Sequence, residues 1–324
     1  MKRREFLRSS ILTTAFLSMG GYSLANVDSK FKTKTDWPKR DDNWKYMGKK
    51  DTSSVKREKE YVFDVAVIGG GVAGLCAAVS AARHGAKTVL VQNRSVLGGN
   101  ASSEIHVPIN GSYHFKNKFG VDRETGIVEE IQLENRYYNV QNSWEVWDHV
   151  MYDYVTRQEN LTLMLNTQAM EAVMDGNSIK KAICFQFSTE SKIIISADVF
   201  IDCSGDGALA ASAGAEYRTG REGKAEFNEK YAPDEPDGWV MGDSIQFSSK
   251  DMGYPVPFNP PSFAIKYDPS KANKRNITQL SCGFWWVELG SDLDIVDVTE
   301  ENRHKLLGYL YGCLLYTSDA ADDR

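Results

Sequence analysis

The chain has 324 residues, 42% hydrophobic and 25% charged, a composition typical of a folded globular protein with room for two domains. Its formal net charge of −6 at pH 7 argues against a nucleic-acid partner. After the N-terminal leader the sequence contains no run of about 18 apolar residues, so it predicts no transmembrane helix.

Residues 1–25 have the features of a targeting segment. Residues 2–7 are KRREFL, a twin-arginine pattern, followed by a modest apolar core at 11–17 and the small-residue sequence SLA at 23–25. A cationic tail without a targeting role is the alternative. Because the twin-arginine machinery exports folded proteins, we expect a periplasmic or exported protein. Residues 26–60, rich in Lys and Asp, are predicted to form a linker.

A β-α-β unit is predicted between residues 61 and 91. An apolar run with β-branched residues at 62–68 indicates a buried parallel strand, and the alanine-rich stretch 75–84 indicates a helix. Gly85 ends this helix, and residues 88–91 form the second strand.

The turn of this unit has G-x-G-x-x-G spacing at Gly69, Gly71 and Gly74. The first glycine allows the tight turn, the second lets backbone approach a pyrophosphate, and the third allows close packing of helix and strand. The helix N-terminus offers unpaired N–H groups to the phosphates. A glycine-rich turn in an ordinary α/β domain is the alternative. The predicted nucleotide-binding backbone comprises Gly69, Gly70, Gly71, Val72, Ala73 and Gly74.

Gln92 lies at the end of the second strand, where Asp or Glu usually binds the ribose hydroxyls. Its amide can donate or accept hydrogen bonds with a ribose. No Arg occupies the position itself, although Arg94 is close, so the pattern argues against a 2′-phosphate. We therefore take Gln92, Asn93 and Arg94 as candidate ribose-side residues.

Residues 96–104, VLGGNASSE, add a second glycine pair soon after the second strand. This segment resembles the FAD-dependent oxidoreductase family with the two-dinucleotide-binding signature, in particular its GGN-[AS]-S-S-E branch, which includes flavin subunits related to heterodisulfide reductases. The resemblance covers 64–111, 200–215 and 241–312. It implies FAD as cofactor, and relatives commonly carry Gln at the position of Gln92. It also implies that the loop lies along the pyrophosphate and ribityl chain, with these residues near the flavin: Gly98, Gly99, Asn100 and Ser102.

Two histidines follow this loop, His106 and His114. Relatives often have a histidine at about this distance, which implies a role in proton transfer beside the flavin. A structural or surface role is the alternative for each of them.

The next elements are two helices, at 125–139 and 142–158, and a β-meander at 161–201, whose last two strands are predicted at 192–197 and 199–201. Asn142 and Glu145 suggest a capping box, and the aromatic stripe of the second helix is interpreted as core. The last strand continues into DCSGDG at 202–207, which resembles the second FAD segment of the family, with a plain turn as the alternative. The resemblance implies cofactor contacts from Gly205, Asp206 and Gly207.

Beyond a short helix at 208–215, the composition changes. A polar loop or lid at 218–238 precedes predicted strands at 241–247 and 281–289 and a helix at 299–312. Trp285, Trp286 and Glu288 could face a carbohydrate-like ligand or belong to the core. The tail 313–324, CLLYTSDAADDR, resembles a translated sequencing-adaptor artefact, so we expect a natural chain that continues past Gly312; a genuine short tail is the alternative.

The five cysteines show no C-x-x-C pair, and no His/Cys cluster has zinc spacing, so the sequence predicts no metal site. Some flavoprotein relatives carry an iron–sulfur cluster, but its ligand motif is missing from this chain.

Together these features predict an α/β fold. A three-layer Rossmann-like FAD-binding domain at 61–215 would contain the β-meander and a helical insertion at about 112–158, followed by a partial, mixed α+β substrate domain at 216–312. We expect an enzyme of the cell envelope that transfers a hydride between FAD and a small organic substrate, with an unknown electron acceptor. An NAD-dependent dehydrogenase and a non-catalytic exported flavin-binding protein are the alternatives.

Overall fold

The computed structural model describes residues 57–110, 124–248, 254, 256–268, 270, 284–290 and 294–322. The predicted leader, His114, Cys282 and the side chain of Trp285 lie outside the described part, as does the predicted linker except for its last four residues.

Four strands form the parallel part of a six-stranded sheet: β1 (Arg57–Ile68), β2 (Thr88–Val91), β3 (Leu161–Met164) and β6 (Ser191–Asp202), in the order β3-β2-β1-β6. Helix α1 (Val72–Arg83) connects β1 to β2, which confirms the predicted β-α-β unit. Ala66, Val67 and Ile68 are at most 3% exposed, because β1 is covered on both faces.

Antiparallel strands β5 (Ser178–Gln186) and β4 (Thr167–Asp175) continue the sheet beyond β6. Two strand predictions were wrong. Residues 161–164 pair in parallel with β2 and do not belong to the meander. The two strands predicted at 192–197 and 199–201 are one strand, because β6 pairs with β1 along its length. This pairing begins at Arg57, so the strand also takes the last residues of the predicted linker.

The sheet lies between two apolar layers, as the predicted three-layer fold requires. On one face α1 packs with α2 (Gly126–Tyr138) and α3 (Trp144–Thr156). On the other face, apolar residues of β1 and β2 share a core with β4, β5 and helix α4 (Ala208–Ser212), which ends three residues before its predicted end. Each layer buries one of the two alternating side-chain rows of the strands.

The start of α3 also differs from the prediction. Ser143 is the N-cap, and its Oγ accepts a hydrogen bond from the Val146 N–H, whereas Asn142 lies in the turn before it with φ +54°. Asn139 fixes this turn, since its Oδ1 accepts from the Ser143 N–H and its Nδ2 donates to the Ser143 carbonyl. The turn that joins α2 to α3 is therefore held by hydrogen bonds of the Asn139 side-chain amide.

A polar cluster joins the three helices of the first layer. Arg83 of α1 donates to both carboxylate oxygens of Glu130 of α2, and the Tyr154 hydroxyl of α3 donates to Glu130 at 2.5 Å. The hydrogen bond from Arg83, followed by that from Tyr154, lowers the pKa of Glu130. Burial and the hydrogen bond to Glu130 raise the pKa of Tyr154. The charged cluster therefore fixes the helices against one another at the rim of the apolar layer.

The remaining described elements are α5 (Lys224–Phe227), β7 (Asp243–Ser248), β8 (Phe284–Leu289) and α6 (Ile295–Asp322). Strands β7 and β8 pair antiparallel, and Asn302 of α6, only 2% exposed, donates to Asp243 of β7 at 2.8 Å. Helix α6 continues past its predicted end at Gly312 and includes residues 313–322. Within the described ranges, no helix combines the length and the apolar character that a membrane crossing needs.

Candidate dinucleotide-binding site

The first glycine turn packs tightly between β1, β6 and α1. Gly69 has φ +105°, and a Cβ at this position would lie 2.0 Å from the Cys203 carbonyl oxygen. A Cβ on Gly74 would lie 1.8 Å from the Gly69 carbonyl oxygen. These two glycines are therefore required by contacts within the protein itself.

Gly71, between them, faces open space. Its backbone is extended (φ −62°, ψ 175°), and apart from its chain neighbours no atom of the described residues lies within 4 Å of a Cβ built there. Helix α1 begins directly afterwards, without a side-chain cap and without an acidic residue in its first turn. Its first intrahelical hydrogen bond runs from Leu75 N to Gly71 O, at 2.9 Å. The positive end of the helix thus meets an opening suited to a phosphate.

The second glycine loop borders the same opening. Gly98 (φ +102°) donates its N–H to the Gly70 carbonyl at 2.8 Å and forms a β-bridge with Gly71. A Cβ on Gly99 would lie 3.2 Å from the Gly71 Cα. The structure therefore brings together two groups of predicted cofactor residues that are separated by the whole of α1 and β2.

The remaining candidates of this loop differ in exposure. Asn100 is exposed, whereas Ser102 is 1% exposed and its Oγ accepts a hydrogen bond from the Glu104 N–H. Asn100 thus presents its amide to the surroundings, and the Ser102 hydroxyl is occupied in shaping the turn.

Helix α3 holds this loop through two contacts that the sequence reading missed. The Trp147 indole N–H donates to the Ala101 carbonyl at 2.5 Å, and the buried Asp148 carboxylate accepts from the Ser103 N–H at 3.0 Å. An aromatic stripe on a helix ordinarily belongs to the core, so the sequence offered little indication of these contacts. The available signal was the carboxylate at position 148, beside the stripe. Such a buried carboxylate needs a partner, and here its partner is the loop backbone.

The predicted second segment lies beside the first turn. Cys203 donates its N–H to the Ile68 carbonyl at 2.6 Å, so β6 ends next to β1. The Asp202 carboxylate accepts from the backbone N–H groups of Ser204 and Ala210. Burial acts to raise the pKa of Asp202, but hydrogen bonds from the Ser204 side chain and from the backbone of Ala210, Ser204 and Leu209 outweigh it, and the pKa is lowered. Gly205 and Gly207 have positive φ, and Asp206 is exposed.

Gln92 is the buried member of the three candidate ribose-side residues. Its side chain is turned into the protein, and the residue is 4% exposed. Asn93 and Arg94 are exposed, and the Arg94 Nε forms an ion pair with Glu104 at 2.7 Å. Of the three predicted ribose-side residues, only the last two present their side chains at the surface.

His106, with φ +63°, stacks on Trp144 of α3 with 4.9 Å between ring centroids and 6° between ring planes. Trp144 in turn lines a cleft of about 230 Å³ between the loop that carries Ala101 and the α2–α3 turn. Among the described residues that line the cleft none is Asp, Glu, Lys or Arg, and most are amides and indoles: Gln132, Asn135, Asn139, Asn142, Trp144 and Trp147.

Across the described ranges, no cluster of three or more His, Cys, Asp or Glu side chains could hold a metal ion. Within the described ranges Cys76, Cys184, Cys203 and Cys313 form no disulfide, and burial raises the pKa of each thiol.

The site fits a dinucleotide. The open side of Gly71, the uncapped start of α1 and the close approach of Gly98 and Gly99 leave a channel lined by backbone, which matches the needs of a pyrophosphate. The channel lies at the carboxyl ends of the parallel strands, where open α/β sheets bind their ligands.

Several known proteins are similar to parts of this chain. The chain is 40% identical over 55 residues to a soluble pyridine nucleotide transhydrogenase from Hahella chejuensis, a match that covers 17% of this chain and 12% of that protein. Among solved structures it is similar to L-proline dehydrogenase from P. horikoshii (20% identity, TM-score 0.29, 46% of this chain and 24% of the other). It is also similar to adenylylsulfate reductase from Archaeoglobus fulgidus (16% identity, TM-score 0.31, 46% and 31%). The chain thus spans less than two thirds of each of these relatives.

A family model described as FAD dependent oxidoreductase matches residues 64–324. This range contains both glycine loops and the DCSGDG segment, and it accounts for most of the chain. The chain therefore belongs to the family of FAD-dependent oxidoreductases, whose cofactor is FAD.

Proposed function

We propose that this FAD-dependent oxidoreductase transfers a hydride between FAD and a neutral, polyhydroxylated small molecule of the carbohydrate type, in the cell envelope. The observation that carries the proposal is the opening at Gly71 between the start of α1 and the Gly98–Gly99 turn. FAD, when bound, supplies the two-electron chemistry.

The protein's part is to position the cofactor and neutralise its phosphates. The N–H groups of Val72, Ala73 and Gly74 precede the first intrahelical hydrogen bond of α1 and are free of helix partners by geometry. They would hold the pyrophosphate. Trp147 and Asp148 keep the adjacent loop in one conformation, so the channel is formed before the cofactor arrives.

The cleft beside Ala101 suits a neutral polar substrate. Its amides can donate and accept hydrogen bonds with hydroxyl groups, and its indole faces suit the C–H face of a sugar ring. His106, stacked on Trp144, would hold or move the proton of a substrate hydroxyl.

The test is the visible absorption of the purified protein. We expect flavin bands that bleach anaerobically with a member of a panel of sugars and polyols. A protein that stays colourless after incubation with FAD would contradict the cofactor assignment and favour the NAD-dependent alternative. Bleaching by dithionite but by no organic substrate would favour a non-catalytic flavin-binding protein.

We expect the substitution His106→Ala to slow flavin reduction by the active substrate about 100-fold, a typical contribution of general acid–base catalysis. FAD affinity should stay unchanged. His149, exposed on α3, provides the matched control, and His149→Ala should reduce its flavin at the wild-type rate. Equal reduction rates in both variants would remove His106 from the mechanism. Stopped-flow absorbance measures the rates.

The proposed location rests on the KRREFL pattern at 2–7. Replacing both Arg3 and Arg4 by Lys is expected to leave the protein in the cytoplasm, because the export machinery recognises the arginine pair. Cell fractionation and immunoblotting measure the distribution. Unchanged export of the double variant would contradict the proposal.

A further inference from the structure

The structure connects the two glycine loops through the side chain of Gln92. Its Oε1 accepts a hydrogen bond from the Gly70 N–H at 2.8 Å, and its Nε2 donates to the Val96 carbonyl at 3.0 Å. One end of the amide therefore holds the β1–α1 turn, and the other holds the segment that leads into Gly98.

The surroundings leave this side chain little freedom. Gln92 is 4% exposed, and Leu97 beside it is 1% exposed. A Cβ on Gly70 would lie 2.8 Å from both the Gln92 Cβ and the Leu97 Cδ2, so the first turn is packed directly on the aliphatic part of the Gln92 side chain and on Leu97. The Gly70 carbonyl is also engaged, because it accepts from the Gly98 N–H.

We propose that Gln92 is a positioning residue, which fixes the spacing of the two glycine loops around the pyrophosphate channel and does not bind the adenosine ribose. A carboxylate could not do the same. It would still accept from Gly70, but its second oxygen would face the Val96 carbonyl oxygen at about the present 3.0 Å and repel it. The replacement of the usual acid by glutamine is thus explained by the need for a donor.

The first test compares Gln92→Met with wild type, both freed of flavin, by fluorescence titration with FAD and with FAD whose adenosine lacks the 2′-hydroxyl. Methionine has a similar size but leaves Gly70 N–H and Val96 O without their partner. We expect this substitution to weaken the binding of both ligands by the same factor, about tenfold or more, equivalent to about 1.4 kcal/mol of binding free energy. Wild type should bind both ligands about equally.

Gln158→Met is the matched control. Gln158 is half-buried, accepts from the Arg83 Nε at 3.3 Å and donates to the Tyr154 carbonyl at 2.8 Å, near the C-terminal end of α1 and so away from the channel at its N-terminus. This variant should lose stability and keep wild-type FAD affinity. A wild type that prefers FAD, with the preference erased in Gln92→Met, would show a direct ribose contact and overturn the proposal. Unchanged affinity in Gln92→Met would overturn it as well.

Gln92→Glu gives a second, independent readout. If the residue binds ribose, the usual acid should tighten FAD binding. If it positions the loops, the variant should bind FAD more weakly than wild type at neutral pH and recover at acidic pH, where a protonated carboxyl can donate to Val96. The ratio of the FAD affinity of Gln92→Glu to that of wild type, measured at each pH, isolates this effect. A ratio that does not change with pH, or tighter binding at neutral pH, would refute the positioning role.

The inference rests on FAD binding by the wild type. A wild type that binds no FAD would contradict the cofactor assignment itself. If only the positioning role of Gln92 is wrong, the wild type still binds FAD.

Discussion

Replacing Gly71 by alanine is expected to weaken FAD binding strongly while the protein keeps its fold. The residue has φ −62°, which alanine adopts without strain, and apart from chain neighbours its Cβ would meet no atom of the described residues within 4 Å. The added methyl group would instead occupy the channel where the pyrophosphate must approach the backbone. We expect FAD affinity to fall at least about 100-fold, equivalent to about 2.7 kcal/mol.

Stability should stay constant or rise by about 0.4–1 kcal/mol, because alanine restricts the unfolded chain. Urea unfolding of the flavin-free protein and flavin titration measure the two effects separately. The prediction fails if Gly71→Ala retains stoichiometric FAD, since the channel would then lie elsewhere. A large loss of stability would show that Gly71 serves internal packing.

Replacing Gly69 by alanine is expected to destabilise the folded protein itself, with or without FAD. The new Cβ would lie 2.0 Å from the Cys203 carbonyl oxygen, far inside van der Waals contact, and the backbone has φ +105°. This clash is relieved only if β1 and β6 separate at the point where the Cys203 N–H donates to the Ile68 carbonyl. We expect a loss above about 4 kcal/mol, a large part of a typical total of 5–15 kcal/mol.

Gly85→Ala separates the two causes. Gly85 also has positive φ, at +90°, but a Cβ there meets nothing within 4 Å. This variant carries backbone strain alone and should lose only about 1–2 kcal/mol. Chemical denaturation followed by circular dichroism compares the variants. Equal stability of Gly69→Ala and Gly85→Ala would mean that the contact with Cys203 yields easily.

The local parts of the fold were predictable because they depend on neighbours in sequence. The apolar run at 62–68, the glycine spacing at 69–74 and strand 88–91 identified the β-α-β unit, and the structure has it. Most helix and strand ends agree within a few residues, since periodicity and capping act over one or two turns. Residue 143 as the N-cap of α3 was missed, because Asn142, Ser143 and Asn139 all offer suitable side chains.

The pairing of the strands was predicted less well than the strands themselves. Residues 161–164 look the same in sequence whether they continue a meander or pair with β2. The choice depends on hydrogen bonds to a strand about 70 residues earlier. The break predicted near Asp198 does not occur, because β1 supplies partners on both sides of it, Phe63 with Ala197 and Val65 with Val199. Polar residues are tolerated where a neighbouring strand continues the ladder.

Local sequence identified the cofactor-binding loops, because the two glycine loops and the DCSGDG turn are recognised by the spacing of neighbouring glycines. How these parts meet depends on tertiary packing. It joined the loops at Gly71 and Gly98, turned the Gln92 amide inward to connect them, and used Trp147 and Asp148 to fix the second loop. These contacts join residues distant in sequence, and their geometry follows from the packing of the sheet and helices, which no local pattern encodes.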